Sequence, residues 1–66
     1  MVLVVVNIDG GYGEVSNVYE NDVASWNEAM KIKDEALSQY GRGLCEVRVT
    51  PKSGKTYRYG GIRNAR

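Results

Sequence analysis

The chain opens with Met-Val-Leu-Val-Val-Val-Asn-Ile-Asp, a run dense in β-branched residues and free of helix breakers, which predicts a strand over 1–9. Asp9-Gly10-Gly11-Tyr12 predicts a tight hairpin turn, because adjacent glycines satisfy the positive φ angles of a two-residue loop. Pairing outward from Asp9 opposite Tyr12 sets Val6 against Val15, Val4 against Asn17 and Val2 against Tyr19. Side chains alternate across a strand, so Val2, Val4, Val6, Ile8, Val15 and Tyr19 share one face. Leu3, Val5 and Val18 fall on the other, beside Asn7, Glu14, Ser16 and Glu20.

The period then changes. Ser25-Trp26-Asn27-Glu28 fits a capping box, with Ser25 as N-cap and Glu28 reaching back from N3, although Asn21 or Asp22 could cap an earlier start. Trp26, Ala29, Met30, Ala36, Leu37 and Tyr40 recur at helical spacing, and Gly41 supplies the αL stop. Lys33 lies inside that stripe; its stem is expected along the core edge with the ammonium in water.

Alternation returns at 44–50, where Cys45, Val47 and Val49 interleave with Glu46, Arg48 and Thr50. Pro51-Lys52-Ser53-Gly54 is a turn, and Lys55 to Tyr59 is the last strand. A three-residue loop with Gly54 in the left-handed region pairs Val49 with Tyr57 and Val47 with Tyr59. A two-residue loop would bring Arg58 beside Val49 in the core, so the longer loop is preferred. Arg48 then faces Arg58, a like-charge pair that Glu46 or an external anion could relieve. Residues 60–66 read as a fraying tail.

Strand, strand, helix, strand, strand is thus the expected order. A right-handed crossover that inserts the third strand beside the first gives a four-stranded antiparallel sheet of order 2-1-3-4. The most apolar strand then sits centrally, with the helix on one face: an α+β, ββαββ fold in one domain, 1–66.

Composition narrows the chemistry. Sixty-six residues with no His and a single Cys leave no disulfide framework and no closed Cys/His zinc site, and the commonest neutral-pH base is absent. The longest apolar run, Met1 to Val6, falls far short of the ~20 residues of a membrane helix, and it lacks the flanks of a secretory signal. A cytoplasmic setting is expected, with no membrane partner and no cofactor. The net charge of +1 hides a division. Residues 1–40 hold seven acidic and two basic side chains, net −5; residues 41–66 hold seven basic and one acidic, net +6.

Apparent catalytic motifs dissolve on inspection. Ser53-Gly54-Lys55-Thr56 ends like a phosphate-binding loop, but Val49 stands where its first Gly belongs and a strand follows instead of a helix. Gly11-Tyr12-Gly13 continues to Ser16 where a dinucleotide fingerprint needs Gly. Cys45 points to the core with no His to activate it. Asp34 and Glu35 diverge on the helix, and Glu14 and Glu20 lack a cleft. No catalytic residue and no metal ligand is assigned, and the chain is read as a non-enzyme.

Two surfaces remain. The basic hairpin carries Arg48, Lys52, Lys55 and Arg58 among tyrosines, as nucleic-acid binders do, but the register turns Tyr57 and Tyr59 inward. Nucleic acid is therefore the second-ranked partner, held through its backbone. The open sheet face ranks first: Leu3, Val5 and Val18 at its middle, Glu14 and Glu20 on one flank, Arg48 and Arg58 on the other. Such a face suits a protein partner, or a two-fold homodimer that sets acidic flank on basic flank.

The layout of a short hairpin, a helix of the Trp26-Asn27-Glu28-Ala29-Met30 kind and then Glu46-Val47-Arg48-Val49-Thr50-Pro51 resembles small bacteriophage early proteins. These include inhibitors of host RNA polymerase and several anti-CRISPR proteins. The resemblance covers residues 3–51 as order and pattern. It implies a stoichiometric blocker that binds a large host enzyme or defence complex within the host cytoplasm.

Overall fold

A computed structural model describes residues 1–11 and 14–62. Its elements are β1 (Val2–Gly11), β2 (Glu14–Val23), α1 (Trp26–Tyr40), β3 (Leu44–Pro51) and β4 (Tyr57–Ile62). The strands form one sheet of order β2-β1-β3-β4, each neighbouring pair antiparallel, with α1 packed on one side. The α+β architecture and strand order are those expected from the chain's pattern.

Alternation builds the core directly. Val2, Val4 and Val6 of β1 and Cys45, Val47 and Val49 of β3 are buried against Ala29, Ala36 and Leu37 of α1. Ala29 and Ala36 let the helix backbone come close to the sheet, while Ile8, Tyr19, Val23, Met30, Ile32, Tyr40 and Tyr59 close the sides. Each fully buried Val contributes about 1.5–3 kcal/mol. Among the described residues no aromatic ring is fully buried, so the core is built from small side chains.

The helix starts and stops where the sequence implies, but the Glu28 side chain makes no hydrogen bond back to Ser25. Ser25 is extended (φ −143°), and its hydroxyl accepts the Glu28 N–H at 3.2 Å. At the other end Gly41 ends the helix and donates its N–H to the Leu37 carbonyl at 2.9 Å, but with φ 93° and ψ 149° it is not in the αL conformation expected of it.

The β3–β4 register is also as expected: Val49 pairs with Tyr57, Val47 with Tyr59 and Arg48 with Arg58. Its turn is made differently. Gly54 does not take a positive φ; its N–H reaches the Pro51 carbonyl at 3.2 Å, and the Thr50 and Thr56 hydroxyls lie 2.8 Å apart, bracing the ends. Residues 60–62 do not fray. They continue β4, Gly61 donates to the Arg42 carbonyl at 3.0 Å, and Gly60 takes φ 72°. A Cβ at Gly60 would sit 2.6 Å from both the Cys45 carbonyl and Leu37 Cδ2, so only glycine lets β4 close on the core there. The rest of the expected tail, 63–66, lies outside the described residues.

The β1–β2 hairpin departs from expectation. Val6 pairs with Tyr19 and Val2 with Val23, not with Val15 and Tyr19, and both strands are ten residues long. Pairing continues to Gly11 opposite Glu14, past the Asp9-Gly10-Gly11 segment expected to turn; Tyr12 and Gly13 lie outside the described residues. Asp9 Oδ1 accepts the Gly11 N–H at 2.9 Å, and Gly11 takes φ 93°. Two register shifts interrupt the ladder, at Gly10 and at Val18. Asn17 clamps the second: its Nδ2 reaches the Val6 carbonyl (3.4 Å), the Tyr19 carbonyl (3.2 Å) and Asn7 Oδ1 (3.1 Å). The longer pairing prevails because it adds backbone hydrogen bonds and brings Val23 onto the core, where the shorter one leaves residues 20–24 as loop.

Candidate functional site

Strand pairing fixes which side chains share the face away from α1. One row across the sheet is Glu20, Val5, Arg48 and Arg58; the next is Asp22, Leu3 and Thr50. A third is Asn17, Asn7, Glu46 and Gly60. Leu3 and Val5 are half-buried between the strands, while Glu20, Asp22, Arg48 and Arg58 are exposed. No described element covers this face.

The charges divide as the sequence implies. Carboxylates occupy β2 and guanidinium groups occupy β3 and β4. The facing arginines are relieved internally by Glu46: its Oε1 accepts from Arg48 Nε at 3.1 Å, and its Oε2 lies 3.7 Å from an Arg58 terminal nitrogen. One carboxylate between two arginines leaves a surplus positive charge on that flank. Across Leu3 and Val5, Glu20 and Asp22 form no ion pair with any described residue of the chain.

Several expected members stand elsewhere. Val18 is the extra residue of the bulge, and it lines a shallow cavity of about 320 Å³ with Tyr19, Ile32, Ala36 and Tyr40, on the helix side. A bulge interrupts strict alternation, so Val18 does not join Leu3 and Val5. Val15 crosses the other way: it pairs with Asp9 on the open side and is 51% exposed. Glu14 sits opposite Gly11 at the hairpin's far end, beyond Ile8, the last residue of β1 paired with β3. It is not gathered with Glu20. Asp22, which the shorter register had set in the connection to the helix, takes that role beside Leu3.

Lys52 and Lys55 are exposed near the turn between β3 and β4. Lys52 borders a depression of about 400 Å³ at the edge of the open face, floored by Met1, Leu3 and Pro51 and rimmed by Asp22 and Thr50. Lys55 stands outside it.

On the helix side, Tyr57 and Tyr59 are occupied. Tyr57 meets Trp26 edge-on, with centroids 5.5 Å apart and planes at 82°. Lys33 Nζ lies 5.0 Å from the Tyr59 ring centroid and 2.6 Å from Asp34 Oδ1. The Lys33 stem is thus largely covered, as expected, and its ammonium lies between a ring and the exposed Asp34 carboxylate. Cys45 is fully buried; desolvation, with the Glu46 carboxylate adding to it, pushes its thiol above the ordinary value. Among the described residues no cluster of His, Cys, Asp or Glu could hold a metal ion, and no helix is long and apolar enough to cross a membrane.

Fold and site together define a class: a small α+β protein with a one-sided core and a charged, uncovered sheet face. Comparison with protein-family models, curated proteins and solved structures found no match.

Proposed function

We propose that this chain is a non-catalytic protein-binding inhibitor that sets its open sheet face on a larger macromolecule. The observation that carries the reading is Leu3 and Val5, held on an uncovered face between Glu20 and Asp22 on one side and Arg48 and Arg58 on the other. Burying the middle supplies desolvation energy, and opposite flanks fix the orientation of the partner. The resemblance in layout to bacteriophage early proteins extends the reading to a target: host RNA polymerase or a CRISPR effector complex, met in the host cytoplasm.

The test is capture from bacterial lysate with wild type and the Arg48→Glu/Arg58→Glu variant, partners being identified by mass spectrometry and then assayed as purified complexes. A complex retained and inhibited by wild type, and released by the reversed variant, is the expected result. Equal recovery by both baits removes the arginines from the interface.

A second reading rests on the exposed Lys52 and Lys55 beside Arg58. Tyr59 lies under Lys33, whereas Tyr57, turned inward by the expected register, is 48% exposed beside Trp26, so contact would be mainly to phosphates with one ring open to a base. It requires retardation of labelled DNA or RNA that disappears steeply with salt.

A further inference from the structure

The rows that cross the sheet have complementary ends. The open-face row of Glu20, Val5, Arg48 and Arg58 starts on a carboxylate and finishes on a guanidinium. The adjoining helix-side rows are Tyr19, Val6, Val47, Tyr59 and Asn21, Val4, Val49, Tyr57. β2 and β4 are the two edges, and neither has a strand partner on its outer side among the described residues, although Asn21 Oδ1 already accepts the Asp22 N–H at 3.0 Å. Successive antiparallel pairings make β1 and β4 run one way and β2 and β3 the other. A copy displaced sideways by one sheet width therefore brings its β2 antiparallel to β4 of the first.

We propose that the β4 edge takes the β2 edge of a second copy, so that the sheet continues from subunit to subunit. Continuing the rows in register sets Arg58 against Glu20 of the next copy on the open face. On the helix side it sets Tyr59 against Tyr19, and Tyr57 against Asn21. Opposite charges and aromatic pairs directly across strands are stabilising. The helix side of β2 has room for the approach: Val18 is 44% exposed, and the cavity between β2 and α1 lies beside it.

Like edges do not fit in this way. β2 on β2 gathers carboxylates, and β4 on β4 gathers guanidinium groups. The contact is thus head-to-tail, and each added copy offers the same free edge as the last. Strand twist of about 20–25° per strand turns successive four-strand copies by roughly a quarter turn, giving a helical array. β4 is only six residues long, so the pairing is short and the assembly weak. The open face stays uncovered throughout, and this inference goes beyond the docking reading and stands without it.

Sedimentation velocity at low salt, from about 10 μM to about 1 mM, covers the range of weak contacts. The expected average mass climbs with concentration without a plateau at two copies. Glu20→Arg and Arg58→Glu each weaken association on the order of tenfold, the consequence of turning an attractive cross-strand pair into a repulsive one. An equimolar mixture of the two regains it, because each variant then supplies the charge the other needs. Arg48→Glu, one strand inside the edge, keeps the assembly even where it abolishes capture of a partner. Circular dichroism of each variant checks that the fold is kept. A monomer at every concentration, a plateau at a dimer, or a mixture that stays monomeric would overturn the proposal.

Discussion

The two faces of the sheet are made by the same strands and differ completely in what they do. On the helix side Val4, Val47 and Val49 have no exposed surface and Cys45 loses its access to water. One residue away along the same backbone, Val5 and Leu3 remain half-open, and Glu46, Arg48 and Thr50 hold charge and hydroxyls toward solvent. With one helix for four strands, the described residues supply apolar cover to one face only. That economy leaves a stable side and an available side, and the proposed functions draw on the second.

The contrast can be broken most severely at Gly60, the point where β4 closes on the helix side. Gly60→Ala must adopt a positive φ and press a methyl into the Cys45 carbonyl and Leu37. A loss of about 3 kcal/mol or more is expected in urea unfolding. Next, Val47→Ala should cost about 2–3 kcal/mol by leaving a cavity, while Val5→Ala on the open face should cost less than about 1. Equal losses would mean that the open face is packed in solution as tightly as the core.

The third expectation concerns pH. The Cys45 thiol is raised by burial, so the folded chain keeps a proton that the unfolded chain releases above about pH 8.5. Stability from this group is fully present below that value and falls as pH rises toward the folded thiol's own, by at most about 1.4 kcal/mol per pH unit. Thermal unfolding between about pH 7 and about pH 10 should show the decline, and Cys45→Ala should remove that part of it. The smallest effect belongs to the open face: Glu46→Gln leaves Arg48 facing Arg58 unrelieved, at about 0.5 kcal/mol, decreasing with added salt.

How far the sequence could be read differs between the two hairpins. In β3–β4, Cys45, Val47 and Val49 alternate strictly and Tyr57 and Tyr59 answer them, so any slip would bury Arg58. That register was legible, as were the Ser25 cap, the Gly41 stop and the inward thiol. In β2, Val15, Tyr19 and Val23 share one parity, but Val18 breaks it, and the bulge there sends Val15 to the face opposite Tyr19 and Val23. Nearly every β2 residue is exposed, so no burial penalty disciplines its pairing. Two glycines before Tyr12 looked like a turn, yet Asp9 and Gly11 carry the strand two residues further.

The candidate site inherited that difference. Leu3, Val5, Arg48 and Arg58 were assigned correctly to one face because they lie on, or are locked to, strongly patterned strands. Val18 was exchanged for the far side and Asp22 missed, because both depend on the β1–β2 register. A signal existed in Asp22, two positions after Glu20 and so on the same face of any regular strand.

From its own pattern, then, the chain determines a four-strand sheet with one helix, the inner row of valines and an acidic half answered by a basic half. Alternation and apolar content suffice for these, since a one-residue slip in β1 or β3 would put charge in the core. Only the tertiary structure decided the length of the first hairpin, the bulge that Asn17 clamps and the glycine on which β4 turns into Leu37. Those depend on contacts between segments distant in the chain, which become favourable only once helix and sheet have met.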